Sequence, residues 1–132
     1  MSEENVEIVR RVYAEWERGN FWTPQFFDPN VHVRWANPIF ARGAETQGIE
    51  ALTRAVQGFL DAYEDMTATA ERLIDTADQV VAVEVWRGRG RASGIEMEEP
   101  AGSVWTMSGG KATHVVFYGE VSEALEAAGL SE

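Results

Sequence analysis

Three residues stand out for the chemistry their types permit. Glu84 is the lone charge inside the apolar run from Val80 to Trp86. A carboxyl group enclosed by such neighbours loses hydration, so its pKa rises and it becomes a candidate acid or base. On the outward face of a sheet, or paired across strands with Arg72, the same residue is an ordinary surface charge, and the sequence leaves both arrangements open. His114 shares one strand face with Val116 and Tyr118, because side chains alternate with period two. On a concave face it is the natural general acid or base, since histidine alone titrates near neutrality without perturbation; on the other face it is an exposed strand residue. Tyr13, three residues before Trp16, either brings a hydroxyl to a cavity floor or is simply core. His114, Glu84 and Tyr13 form the candidate catalytic set.

The elements that must position these residues follow from periodicity. Val6, Val9, Val12, Tyr13 and Trp16 recur at spacings of three and four, the stripe of a helix running to about Arg18 and ended by Gly19-Asn20. Phe21 to Phe27, interrupted by Pro24, reads as a short helix or turn, stopped by Asp28-Pro29-Asn30. Val31, Val33 and Trp35 alternate with His32 and Arg34, as in a half-buried strand. Residues 37–47 read as a loop. Ile49, Leu52, Val56, Phe59, Leu60 and Tyr63 make a second helical stripe. Thr67 to Asp75 and Gln79 to Arg89 form an antiparallel pair, followed by strands around Val104-Trp105-Thr106 and His114 to Tyr118, and by a closing helix from Glu120. Helices gathered early and antiparallel strands gathered late give an α+β fold: a strongly curved sheet wrapped around N-terminal and central helices, with an internal pocket.

Composition bounds the function. The 132 residues, 45% hydrophobic, fit one domain over residues 1–132 with one core. A formal charge of −11 repels phosphate backbones and acidic lipid surfaces, so neither nucleic acid nor a membrane is an expected partner. No apolar run approaches the length of a membrane span, and the acidic opening Ser2-Glu3-Glu4 is unlike a secretory leader. With no cysteine, disulfides and thiol chemistry are excluded, which fits a cytoplasmic location. Two distant histidines and no cysteine offer no metal-ligand spacing, and there is no phosphate-binding glycine loop or serine elbow, so neither metal nor cofactor is expected. Trp16 and Trp35 are expected to point inward as flat walls for an apolar or aromatic small molecule, with Phe59 and Tyr63 beside them. Trp86 and Trp105 fit either the same pocket or an aromatic-rich dimer surface. Asn37 either orients a ligand or turns the chain before Pro38.

The chain resembles the SnoaL-like branch of the nuclear transport factor 2-like superfamily, whose relatives include polyketide cyclases and ketosteroid isomerase. The resemblance rests on the run from Glu4 to Tyr13, on Phe27-Asp28-Pro29-Asn30-Val31, on Gln47-Gly48-Ile49-Glu50-Ala51-Leu52, on Arg87 to Gly94, on Val104-Trp105-Thr106 and on Glu123 to Leu130. It implies a cone-shaped cavity lined in part by Tyr118, a homodimer packed sheet to sheet, and cofactor-independent isomerase, cyclase, dehydratase or hydrolase chemistry on a hydrophobic cyclic substrate. Non-catalytic binding of an apolar metabolite and a pure dimerisation or interaction role also occur on this fold. The usual acids are missing. Asn37 takes the place of the isomerase general base, and an amide cannot accept a proton near neutral pH. Pro100 takes the place of the isomerase's protonated acid, and its oxyanion-binding tyrosine falls at Val12, next to Tyr13. The cyclase acid falls within Val115-Val116-Phe117.

Overall fold

The structure, a computed structural model, describes residues 2–36 and 44–130. Helix α1, Ser2–Glu17, turns its stripe into the core: Val9 and Val12 are fully enclosed, Tyr13 and Trp16 nearly so, and Val6 is partly buried. A 3₁₀ turn at Pro24–Phe26 leads into β1, Phe27–Trp35, then β2, Ala44–Gln47, and α2, Ile49–Ala62. Four further strands follow: β3, Tyr63–Thr76; β4, Gln79–Gly90; β5, Glu96–Ser108; and β6, Lys111–Tyr118. Helix α3, Val121–Ala127, comes last.

The six strands form one curved sheet in the order β2-β1-β6-β5-β4-β3. All neighbours are antiparallel except β1 and β6, which run parallel and join the first strand to the last. Two register irregularities in β3, between Glu64 and Thr67 and between Ala70 and Arg72, interrupt its ladder with β4, where extra residues bend a strand. The β5–β6 turn is a pair of left-handed glycines, Gly109 and Gly110, a conformation that L side chains rarely adopt.

The sheet has two unlike faces. Its inner face packs on α1 and α2 through one aromatic-rich core that includes Trp16, Trp35, Trp86, Trp105 and Phe117. Its outer face is covered in part by α3, which closes on Val81 and Val104. Gly102 permits that contact, since a Cβ there would lie 2.8 Å from the Ala124 Cβ.

Several elements differ from the sequence expectation for local reasons. Asp28-Pro29-Asn30 belongs to β1 instead of stopping the chain before it. Proline is tolerated there because the β1–β6 register breaks between Phe27 and His32, so its missing N–H costs no ladder bond. Residues 44–47, expected as loop, form the edge strand β2; Ala44 followed by three polar residues shows no apolar alternation and carries no strand signal. Tyr63 is the first residue of β3 and not the last turn of α2: helix passes into strand with no loop between them. No helix is long and apolar enough to cross a membrane among the described residues.

Candidate functional site

The inner face of the sheet and α2 enclose a cavity of about 260 Å³. Its walls are rings. Trp35 and Phe117 stack within 10° of parallel with centroids 6.2 Å apart, and Phe21 and Trp86 within 14° at 5.8 Å. Phe59, from α2, meets Trp86 edge-on, and Trp16 closes the side toward α1. Aliphatic Val33, Ile49, Leu52 and Val56 fill the spaces between rings, and half-exposed Trp22 stands at the rim. Among the described residues that line it, none carries a charge, and the hydroxyls are those of Thr23 and Thr53.

Behind the Trp86 indole lies a second, polar group. Glu84 and Ser103 are fully buried and Tyr13 nearly so. The Tyr13 hydroxyl and Ser103 Oγ both hydrogen-bond Glu84 Oε1, the latter at 3.0 Å, and the two hydroxyls lie 3.0 Å from each other. Trp86 Nε1 donates to Glu84 Oε2 at 2.8 Å, and Trp105 Nε1 donates to Ser103 Oγ at 2.9 Å. Burial raises the Glu84 carboxyl above its ordinary value, opposed by hydrogen bonds from Tyr13, Trp86 and Ser103. Burial likewise holds the Tyr13 phenol well above its ordinary value, and the neighbouring Glu84 adds to the rise through its charge and hydrogen bond.

Glu84 Oε1, Tyr13 Oη and Ser103 Oγ make a triangle with three close contacts. Burial favours the neutral acid and the three donated hydrogen bonds favour the carboxylate, with burial the larger effect on Glu84. Tyr13 also lines a shallow polar groove between α1 and β3, with Arg10, Glu17, Glu71 and Arg72 around it, on the side away from the aromatic cavity.

The structure places the residues singled out in the sequence in several separate regions. Glu84 and Tyr13 come together, but in the polar cluster and not on the cavity surface. Trp16, Trp35 and Phe59 line the cavity. His114 lies on the outer face, exposed, its ring 5.8 Å from His32 on the neighbouring strand and apart from both groups. Tyr118 is on that same outer face, under the Arg34 guanidinium at 5.8 Å and packed near α3. Tyr63 borders a polar groove with Arg91 and Leu60 rather than the aromatic cavity. Asn37 lies outside the described residues. Trp86 and Trp105, left open between pocket and dimer surface, are both enclosed on the inner face, at 1% and 0% exposure.

Sequence reasoning missed Ser103, Phe21, Thr23 and Phe117. One signal for Ser103 was present. In Glu84-x-Trp86 and Ser103-x-Trp105 a polar residue precedes a tryptophan by two, which puts oxygen and indole N–H on one strand face. No group of three or more His, Cys, Asp or Glu side chains among the described residues is placed to hold a metal ion.

Comparison with known proteins agrees with this architecture. The family model described as a SnoaL-like domain matches residues 9–115. No curated protein matches the chain. Among solved structures, a protein of ketosteroid isomerase-like fold from Catenulispora acidiphila, in complex with trimethylamine, superposes with a TM-score of 0.73 at 19% identity, covering 94% of this chain and 93% of the other. A candidate SnoaL-like polyketide cyclase from Jannaschia gives 0.76 at 17% identity, covering 89% and 85%. TerC, co-crystallised with polyporic acid, gives 0.75 at 17% identity, covering 96% and 98%.

Proposed function

The chain belongs to the SnoaL-like family, and we propose that within it this protein binds a small, uncharged, flat and mostly apolar molecule in the aromatic cavity. The observation that carries this reading is a cavity of about 260 Å³ with ring faces for walls and no charged side chain among its described lining residues. A carboxylate or ammonium group would lose its water there without a partner, so charged ligands are rejected by desolvation. The volume lies just below the ~300–1,000 Å³ typical of drug-sized ligands, which favours compounds of one to three rings over a four-ring skeleton. The fold-neighbour TerC was crystallised with polyporic acid, which supports a family habit of holding small organic molecules. Tryptophan-fluorescence titration with neutral bicyclic aromatics and terpenoids tests the proposal, since Trp16, Trp35 and Trp86 report occupancy directly. Saturable quenching by neutral compounds, absent for their carboxylated analogues, is the expected result. Silence from every neutral compound, or equal affinity for the charged ones, rejects it.

One observation favours a catalytic reading as the second. Glu84 and Tyr13 stand one indole away from the cavity, and Trp86, which separates them, is hydrogen-bonded to Glu84. A substrate that displaced the Trp86 ring would meet a buried carboxyl whose pKa is raised, a candidate acid or base for isomerisation, cyclisation or dehydration. Cyclic ketones and epoxides that bind should then be turned over by the wild type and not by Glu84→Gln; equal turnover by both removes Glu84 from any catalytic role. We also propose a homodimer through the outer sheet face, which the family resemblance implies and which α3 leaves partly uncovered. A monomer mass by light scattering at tens of micromolar would refute it.

A further inference from the structure

We propose that the Thr23 hydroxyl is the polar handle of the aromatic cavity and selects ligands bearing one hydrogen-bond acceptor, of ketone type, over the matching hydrocarbon. The inference rests on the cavity being a ligand site, as argued above. Thr23 borders the cavity yet is only 3% exposed. It stands at the N-cap position of the 3₁₀ turn, where threonine side chains commonly bond the backbone, but its side chain makes no capping bond. Its Oγ1 instead accepts from Trp16 Nε1 at 3.2 Å.

A hydroxyl has one hydrogen and two lone pairs. The Trp16 bond uses a lone pair, and among the described residues no acceptor takes the Thr23 hydrogen. Of the other donors in the wall, three give their hydrogens elsewhere. Trp16 gives its N–H to Thr23, and Trp86 gives its N–H to Glu84 on the far side. Thr53, the other hydroxyl among the described lining residues, donates to the Ile49 carbonyl at 2.8 Å. Trp22 is 45% exposed, open to solvent at the rim. Thr23 is thus a buried hydroxyl whose hydrogen none of these groups takes, set in an otherwise apolar wall. It is further polarised by the indole N–H that it accepts, which makes it a better donor. A ketone oxygen on a flat hydrocarbon frame matches that demand: acceptor only, uncharged, and single.

The test compares 1-tetralone with tetralin, the same bicyclic frame with and without the carbonyl, by calorimetry and tryptophan fluorescence on the full chain. The wild type should prefer the ketone roughly tenfold, the size of one neutral hydrogen bond. Thr23→Val should erase that preference while changing tetralin affinity less than about twofold, and Thr23→Ser, which keeps the hydroxyl, should retain it. Near-UV circular dichroism verifies that each variant keeps its packed core. Equal binding of the two compounds by the wild type, a preference that survives in Thr23→Val, or its loss in Thr23→Ser each overturns the handle. Failure of both compounds to bind the wild type sinks the cavity reading itself, an outcome distinct from equal binding.

Discussion

The cavity and the polar cluster lie on opposite sides of the Trp86 ring. Toward the cavity Trp86 offers its π face, beside Phe21 and Phe59; toward the cluster it offers its N–H, taken by Glu84. The indole of Trp105 is likewise held by Ser103 in the cluster. Apolar space and buried polar groups are thus kept apart by Trp86, which belongs to both. The difference teaches that a wall of tryptophan is apolar only where something behind it accepts the indole hydrogen; without the cluster, those N–H groups would be orphans facing the void.

Breaking the cluster should have the largest effect. Glu84→Ala removes the shared acceptor of Tyr13, Trp86 and Ser103 and leaves a hole, so urea unfolding should show a loss of about 3 kcal/mol or more. A loss below about 1 kcal/mol would mean that the cluster does not support the wall. Filling the cavity comes next. Val56→Trp, from the α2 side of the lining, should lower ligand affinity about a hundredfold by overlap while leaving the unfolding midpoint nearly unchanged. Retained affinity would place the ligand elsewhere.

Glu84→Gln sharpens the comparison through pH. A carboxyl whose folded pKa is raised above 4.5 contributes stability that is fully present below that value and lost as pH rises through the folded pKa. The amide can turn its oxygen to Trp86 and its NH₂ to the two hydroxyls, and it cannot ionise. The variant should therefore gain on the wild type as pH increases above 4.5, read as thermal midpoints between pH 4 and 9; parallel profiles would show that Glu84 is not held neutral. The smallest effect belongs to His114→Ala. On the outer face, it should shift stability by no more than about 0.5 kcal/mol and leave ligand affinity untouched. A clear loss of binding would couple the two faces of the sheet.

Much of the fold was legible because it is written in local periods. The α1 and α2 stripes, the β3–β4 pair and the curved α+β sheet all follow from spacing. What failed was information of another kind. Whether His114 or Phe117 faces the cavity depends on strand register, where a slip of one residue exchanges the faces. The histidine's titratable ring drew attention that its position does not reward. The meeting of Glu84 with Tyr13 was foreseeable from their types, whereas Ser103 and Thr23, small hydroxyls without a motif, become informative only through the indoles they touch.

The parallel pairing of β1 with β6 has a consequence in time. Trp35 and Phe117, the stacked pair of the cavity wall, come from the first and last strands, so every strand between them must be made before they can meet. A chain emerging from the ribosome carries Trp35 without its stacked partner Phe117 until β6 has left the exit tunnel. Closure over so long a stretch of chain is slow. In refolding followed by stopped flow, the capacity to bind ligand should appear with the slowest tryptophan phase, and a binding signal in the first phase would show that the wall forms without β6. The cavity wall is thus completed only by the last strand, whatever order the rest of the sheet takes.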